Sequence, residues 1–186
     1  MKLILIVVIS AFALACRPAA APVAISNRPV QINGGPPTNV PTQPKKPLAE
    51  MTWVTADGQT SSFGSLSGKV VILDFWATYC PPCRDEIPHL NRLQARHGTD
   101  KLQVVGLNVG GDDDRPKIAD FVKQYKISYP IAFPEDDLLD YVSGNDDRIP
   151  QTAVFGRDGK LVTKIVGFDE NIRQQLDAAV ERALSN

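Results

Sequence analysis

Two cysteines three positions apart, Cys80-Pro81-Pro82-Cys83, close the run Asp74-Phe75-Trp76-Ala77-Thr78-Tyr79. On a helix, residues i and i+3 share a face, within the alpha-carbon separation that a disulfide needs. Such a pair can cycle between dithiol and disulfide, which is a reaction and not only a fold element. If a helix starts here, Cys80 sits at its N-terminus, where free backbone N–H groups and the macrodipole favour a thiolate. The two prolines suit a first helical turn, where a missing N–H costs little. They also remove amides, leaving that of Cys83 as the nearest donor, so the expected lowering of the Cys80 pKa is moderate. A purely structural cross-link is the bland alternative. It is disfavoured because closing a two-residue loop removes little chain entropy.

The elements that must position this pair read as alternating strands and helices. Lys69 to Phe75 has buried-strand character (Val70, Val71, Ile72, Leu73), and a helix follows from Pro81 to His97 with Ile87, Leu90 and Leu93 as its apolar stripe. Pro88 falls inside that helix. Upstream, Met51–Thr55 and Gln59–Ser62 flank Ala56-Asp57-Gly58, a hairpin signal. Downstream come a strand over Leu102–Val109, a helix over Asp114–Tyr125, a short strand Ile131–Phe133 and a brief helix Glu135–Val142. Thr152–Phe155 and Leu161–Val166 pair around Gly156–Gly159, and Glu170–Leu184 closes as a helix. This order argues for an α/β fold, a central mixed sheet flanked by helices.

The chain has 186 residues and a formal charge of −1, so no basic footprint recommends a nucleic-acid partner. Three cysteines in all cannot build a disulfide scaffold, which adds weight to a reactive pair. The third, Cys16, ends a basic-then-apolar N-terminus, Met1-Lys2 followed by Leu3 to Ala15, too short for a comfortable membrane span. Residues 1–16 read as an export signal. Ala13-Leu14-Ala15 fits ordinary cleavage, and the same residues before Cys16 resemble a bacterial lipoprotein signal, which would place a lipid on Cys16 and anchor the chain to a membrane in the cell envelope; an uncleaved membrane anchor is the third alternative. Ala13 stands where such signals more often carry Leu. Residues 17–47 are rich in Pro, Ala, Asn, Thr and Gly with no helical or strand period, and read as a disordered tether. The folded domain is expected over residues 48–186.

Three motifs, in order, carry a family resemblance: Asp74 to Cys83, then Ile149-Pro150-Gln151-Thr152, then Arg157-Asp158-Gly159-Lys160. From about Leu48 to Asn186 the chain resembles the exported, membrane-tethered thiol–disulfide oxidoreductases of the TlpA/ResA type. The stretch from Val104 to Phe133 looks like the βα insertion of that branch. The resemblance implies a thioredoxin-like fold, no cofactor, exported client proteins with thiols or disulfides, and an electron donor or acceptor in the membrane. It implies that Cys80 is the exposed nucleophile and Cys83 the buried resolving thiol. Asp74 matches a buried acid that relays a proton to or from the resolving cysteine, a role that needs a pKa raised by desolvation. Pro150 matches a cis-proline opposite the cysteines, with Ile149 offering backbone groups to an extended client segment. Trp76 and Tyr79 are placed around the thiol surface, with core packing as the alternative for either aromatic.

The resembling proteins mostly keep client thiols reduced, so the expected direction is reduction, with disulfide formation as the alternative. ResA-like proteins carry a glutamate just after the Asn-Val-Gly segment. This chain has Gly111 there, followed by Asp112-Asp113-Asp114. That departure leaves apocytochrome c reduction as an open assignment. Asp112 is a candidate substitute, and a solvated loop before the next helix is the preferred reading of the run. A metal-binding module built on Cys80, Cys83 and His89 lacks a fourth ligand, and His89 and His97 are expected on the surface of the first helix. A peroxidase reading fails on spacing, because peroxiredoxin-type sites place Thr three residues before the reactive cysteine, and Thr78 lies two before Cys80.

Overall fold

A computed structural model describes residues 46–186. The export-type segment, Cys16 and nearly all of the proline-rich stretch lie outside the described residues. Among the described residues no helix is long and apolar enough to cross a membrane.

The hairpin forms as β1 (Thr52–Thr55) and β2 (Thr60–Ser62), turning at Gly58, whose φ of 84° suits glycine. The buried run becomes β3 (Val70–Trp76), followed by α1 (Pro81–His97), β4 (Leu102–Asn108), α2 (Ile118–Tyr125), β5 (Ile131–Pro134) and α3 (Asp136–Ser143). The chain ends with β6 (Gln151–Phe155), β7 (Leu161–Val166) and α4 (Glu170–Ser185). The strands build one sheet in the order β2-β1-β5-β4-β3-β6-β7. β4 pairs in parallel with both β3 and β5, and the other ladders are antiparallel. Parallel neighbours need a crossover, which α1 supplies between β3 and β4.

β3 lies inside the sheet, between β4 and β6, and every one of its seven residues is buried. Its side chains alternate between faces, as the strand period requires. Val71, Leu73 and Phe75 pack with Trp53, Leu138 and Phe155 on one face. Val70 and Ile72 pack with Leu90, Leu93, Leu176 and Val180 on the other, beneath α1 and α4. Asp74 and Trp76 continue this second face, so the strand carries a carboxylate to the α1 side.

Two local readings are corrected. The segment expected as one helix from Asp114 is a 3₁₀ turn over Arg115–Lys117 before α2 begins at Ile118. Asp114 turns its side chain inward to Thr78 and Asn108 instead of capping the helix. His89 is not a surface residue: it is 4% exposed, its Nε2 lies 3.0 Å from Asp177 on α4, and its ring is near Phe168. His97, two turns on, is partly covered beside Glu181 of α4. Because α1 and α4 share one face of the sheet, the side of α1 that meets α4 is covered.

Candidate active site

β3 and α1 meet at the cysteine pair. Cys80 is the N-cap of α1 with Pro81 and Pro82 opening the helix, and the Cys83 N–H donates to Cys80 Sγ at 3.2 Å. The two cysteines are joined as a disulfide with alpha carbons 5.4 Å apart. In this state Cys80 is 4% exposed, which corrects the expectation of an exposed first cysteine. The sulfurs pack into an apolar cluster with Trp76, Ile87, Ile118 and Phe121. Of the two readings for Trp76, core packing holds and a place on the thiol surface does not: it is buried and stacks on Phe121 with centroids 5.0 Å apart. Trp76 shares the inward face of β3 with Asp74, whereas Tyr79, beyond the strand end, is 60% exposed.

The turn that presents Cys80 is pinned from a distance. Asp114 accepts the Thr78 N–H at 3.0 Å, the Thr78 hydroxyl, and Asn108 Nδ2 at 2.8 Å. Arg84 donates to the Thr78 carbonyl at 2.8 Å. Burial acts to raise the Asp114 pKa, but these donors, with Lys117 nearby, outweigh it and hold the carboxyl below its ordinary range. Asp112, by contrast, is exposed and pairs with Arg115 at 3.3 Å.

Behind the pair lie two buried acids. Asp74 is in register with Thr152 on β6 and Gly106 on β4. Glu86 is one turn along α1 from Cys83, on the same helical face, and accepts the Thr152 hydroxyl at 2.5 Å. Burial pushes Asp74 up to about 7, opposed by the Tyr129 hydroxyl. Burial also pushes Glu86 well above the carboxylate range, with the neighbouring Asp74 charge adding to it and Thr152 opposing. Tyr129 is raised by its own burial and by both acids. Among the described residues one Asp74 oxygen and one Glu86 oxygen are buried without a hydrogen-bond partner. Gly106 leaves room for this cluster, because a Cβ there would meet Ile131 Cδ1 at 2.7 Å, and Trp76 Nε1 and a Tyr129 ring carbon at 3.0 Å each.

The Ile149–Pro150 peptide is cis. Pro150 is buried, its carbonyl accepts the Gly167 N–H at 2.8 Å, and Ile149 packs against the cysteine cluster. Among the described residues no hydrogen bond uses the Ile149 N–H or carbonyl.

The structure thus gathers Cys80, Cys83, Asp74, Tyr79, Ile149 and Pro150 in one region and moves Trp76 beneath it. Sequence reasoning did not single out Glu86, Tyr129 or Asp114. A signal existed for Glu86: with Cys83, Leu90, Leu93 and Gln94 it falls on the buried stripe of α1. Among the described residues no group of three His, Cys, Asp or Glu side chains is placed to hold a metal, and His89 faces α4 instead of the cysteines.

Comparisons with known proteins agree with this geometry. The Redoxin family matches residues 42–180. The thiol-disulfide oxidoreductase ResA of Bacillus cereus is 30% identical over 128 residues, 68% of this chain and 70% of that protein. The thioredoxin-like protein YneN of Bacillus subtilis is 32% identical over 127 residues, 66% of this chain and 72% of its own. Among solved structures, a putative thiol:disulfide interchange protein DsbE from Chlorobium tepidum superposes with a TM-score of 0.64 at 27% identity. It covers 76% of this chain and 98% of its own. The chain therefore belongs to the redoxin family and is an oxidoreductase of its thioredoxin-fold, ResA-like branch.

Proposed function

We propose that the Cys80–Cys83 pair exchanges disulfides with exported proteins and works chiefly as a reductant. The observation that carries this reading is the pair's setting: a disulfide at a helix N-terminus, packed beside Ile149, whose backbone groups make no hydrogen bond among the described residues, and backed by buried acids. In the reducing direction the Cys80 thiolate attacks one sulfur of a client disulfide. The client S–S bond breaks, its other sulfur leaves as a thiolate that takes up a proton, and a mixed disulfide forms. Cys83 then loses its proton and attacks the Cys80 sulfur. The second client sulfur is released, and the pair is left oxidised by two electrons.

Each group has a role in that sequence. The Cys83 N–H stabilises charge on Cys80 Sγ. Asp74, near half-ionised at neutral pH, accepts the Cys83 proton, and Glu86 supplies or stores a second one. The Ile149 N–H and carbonyl pair with an extended client segment beside the cysteines. The pair must then be re-reduced by a donor across or in the membrane. Residues 1–16 as an export signal and a lipid on Cys16 would hold the domain in the bacterial envelope, and intact-mass analysis of membrane-extracted protein checks for the acyl groups.

The deciding experiment is the reduction potential of the pair by equilibration with glutathione or dithiothreitol. A value near or below about −230 mV supports the reductant, and one near about −120 mV makes disulfide formation its task. A pair that resists exchange overturns the reading.

A further inference from the structure

Beside the disulfide, the Tyr79 turn and the segment before Pro150 border a cavity of about 540 Å³ that the exchange chemistry leaves unused. Its floor is apolar, formed by Phe75, Val109 and Leu139. Tyr79, which precedes Cys80, and Ile149 form the side nearest the cysteines. The opposite side is acidic, with Asp140 from α3 and Asp146 and Asp147 from the loop after it.

The neighbouring cations already have partners, Arg148 on the cavity's own Asp146. Arg148 spends its Nε and a terminal nitrogen on Asp146, at 2.9 and 2.7 Å. Lys164 Nζ donates to the carbonyls of Val142 and Ser143 at 3.0 and 3.4 Å. Among the described residues no ion pair engages Asp140 or Asp147, and both are exposed. Gln151, which also lines the cavity, supplies an independent sign. It is 1% exposed, and its amide nitrogen donates to the carbonyls of Asp146 and Arg148 at 2.6 and 2.8 Å. Turning the amide over would set its oxygen against two carbonyl oxygens, so its orientation is fixed. Among the described residues its Oε1 is therefore a buried acceptor with no partner, a state that a donor from outside would relieve.

An apolar floor, two exposed carboxylates outside any ion pair among the described residues and a spare acceptor match one kind of side chain. A lysine or arginine can lay its aliphatic stem on Phe75, Val109 and Leu139 and bring its cationic head to the acids. We propose that this cavity is a subsite for a basic residue of the client, close in sequence to the client's reacting cysteine. The inference rests on the disulfide-exchange reading above and adds selectivity to it. An acidic residue in the same place meets Asp140 and Asp147 and is rejected. Because the charges are exposed, the attraction acts largely on association and weakens with salt.

The test uses the reduced full-length protein and three disulfide-linked peptide dimers, identical except for Lys, Gln or Glu on both sides of the cysteine. At low ionic strength the Lys peptide is expected to react about 3- to 10-fold faster than the Gln peptide, as two exposed ion pairs allow. The Glu peptide is expected to be the slowest, and the spread should narrow in about 0.5 M salt. In the D140N/D147N variant the Lys-to-Glu rate ratio is expected to collapse towards one. Equal rates for all three peptides with the natural protein, or an unchanged ratio in the variant, overturn the subsite. No reaction with any peptide, while dithiothreitol still reduces the pair, overturns the exchange reading beneath it.

Discussion

Thr152 on β6 donates its hydroxyl to Glu86 on α1 at 2.5 Å, fastening the helix to the sheet one turn beyond Cys83. Thr152 is also the antiparallel register partner of Asp74 on β3. One threonine therefore joins the two acids nearest the pair through a side-chain bond on one side and a strand ladder on the other. Both carboxyls are buried and held up in pKa by that burial.

The pH dependence of stability follows from Asp74. Its carboxyl titrates at about 7 in the folded chain and at about 3.9 when unfolded. Between those values the folded state holds a proton that the unfolded state has released. The Asp74 contribution to stability is therefore greatest below about pH 4, falls as pH rises towards 7, and is level beyond. Asp74→Asn lacks this loss. Denaturant midpoints of the oxidised protein should show the variant's advantage growing by a few kcal/mol from pH 4 to pH 8. A gap independent of pH would remove Asp74 as the raised group.

Asp114 acts in the opposite sense. Its pKa is held below the ordinary range, so its contribution is present above about pH 4 and is lost as pH falls through the folded value. Asp114→Ala leaves the buried Thr78 N–H and Asn108 Nδ2 without their acceptor. The expected cost is about 2–5 kcal/mol in chemical denaturation at pH 7, with Asp114→Asn intermediate. Faster hydrogen exchange at the Thr78 amide should accompany it.

Gly106→Ala tests the packing behind the pair. The added methyl meets Ile131 Cδ1, the flexible end of a side chain, but also Trp76 and Tyr129 rings that have little room to move. The expected destabilisation is about 1–3 kcal/mol, with a change in the near-ultraviolet circular dichroism of Trp76. A neutral result would mean that the ring layer is looser than the contacts describe.

Division of labour between the cysteines is read from trapping. Cys83→Ala should accumulate mixed disulfides on Cys80 with proteins of an envelope extract, and Cys80→Ala should trap few. Non-reducing electrophoresis followed by mass spectrometry distinguishes the two. Equal trapping by both variants would contradict the assignment of Cys80 as nucleophile.

Much of the fold was legible along the chain. The run Val70 to Leu73, the helix from Pro81 to His97 and the hairpin around Asp57-Gly58 each announce themselves through neighbours a few residues apart, because strand and helix periods and turn chemistry are local. The Cys-Pro-Pro-Cys spacing likewise declares its chemistry without a partner. What could not be read was the fate of polar residues. Glu86, Asp114, Tyr129 and His89 look like ordinary surface groups until another element covers them. Thr78 and Asp114 meet across 36 positions and Glu86 and Thr152 across 66, beyond the reach of any local pattern.

The sequence by itself thus determined the strand–turn–helix that carries the pair and the amide left to face Cys80, since both depend on prolines and apolar spacing within one short segment. Only the tertiary structure decided that Cys80 and Trp76 pack inward, that Tyr79 and Ile149 border an acidic-edged cavity, and that burial pushes the Asp74 and Glu86 carboxyls up in pKa. The reason is that desolvation is a property of the assembled neighbours and not of the residue.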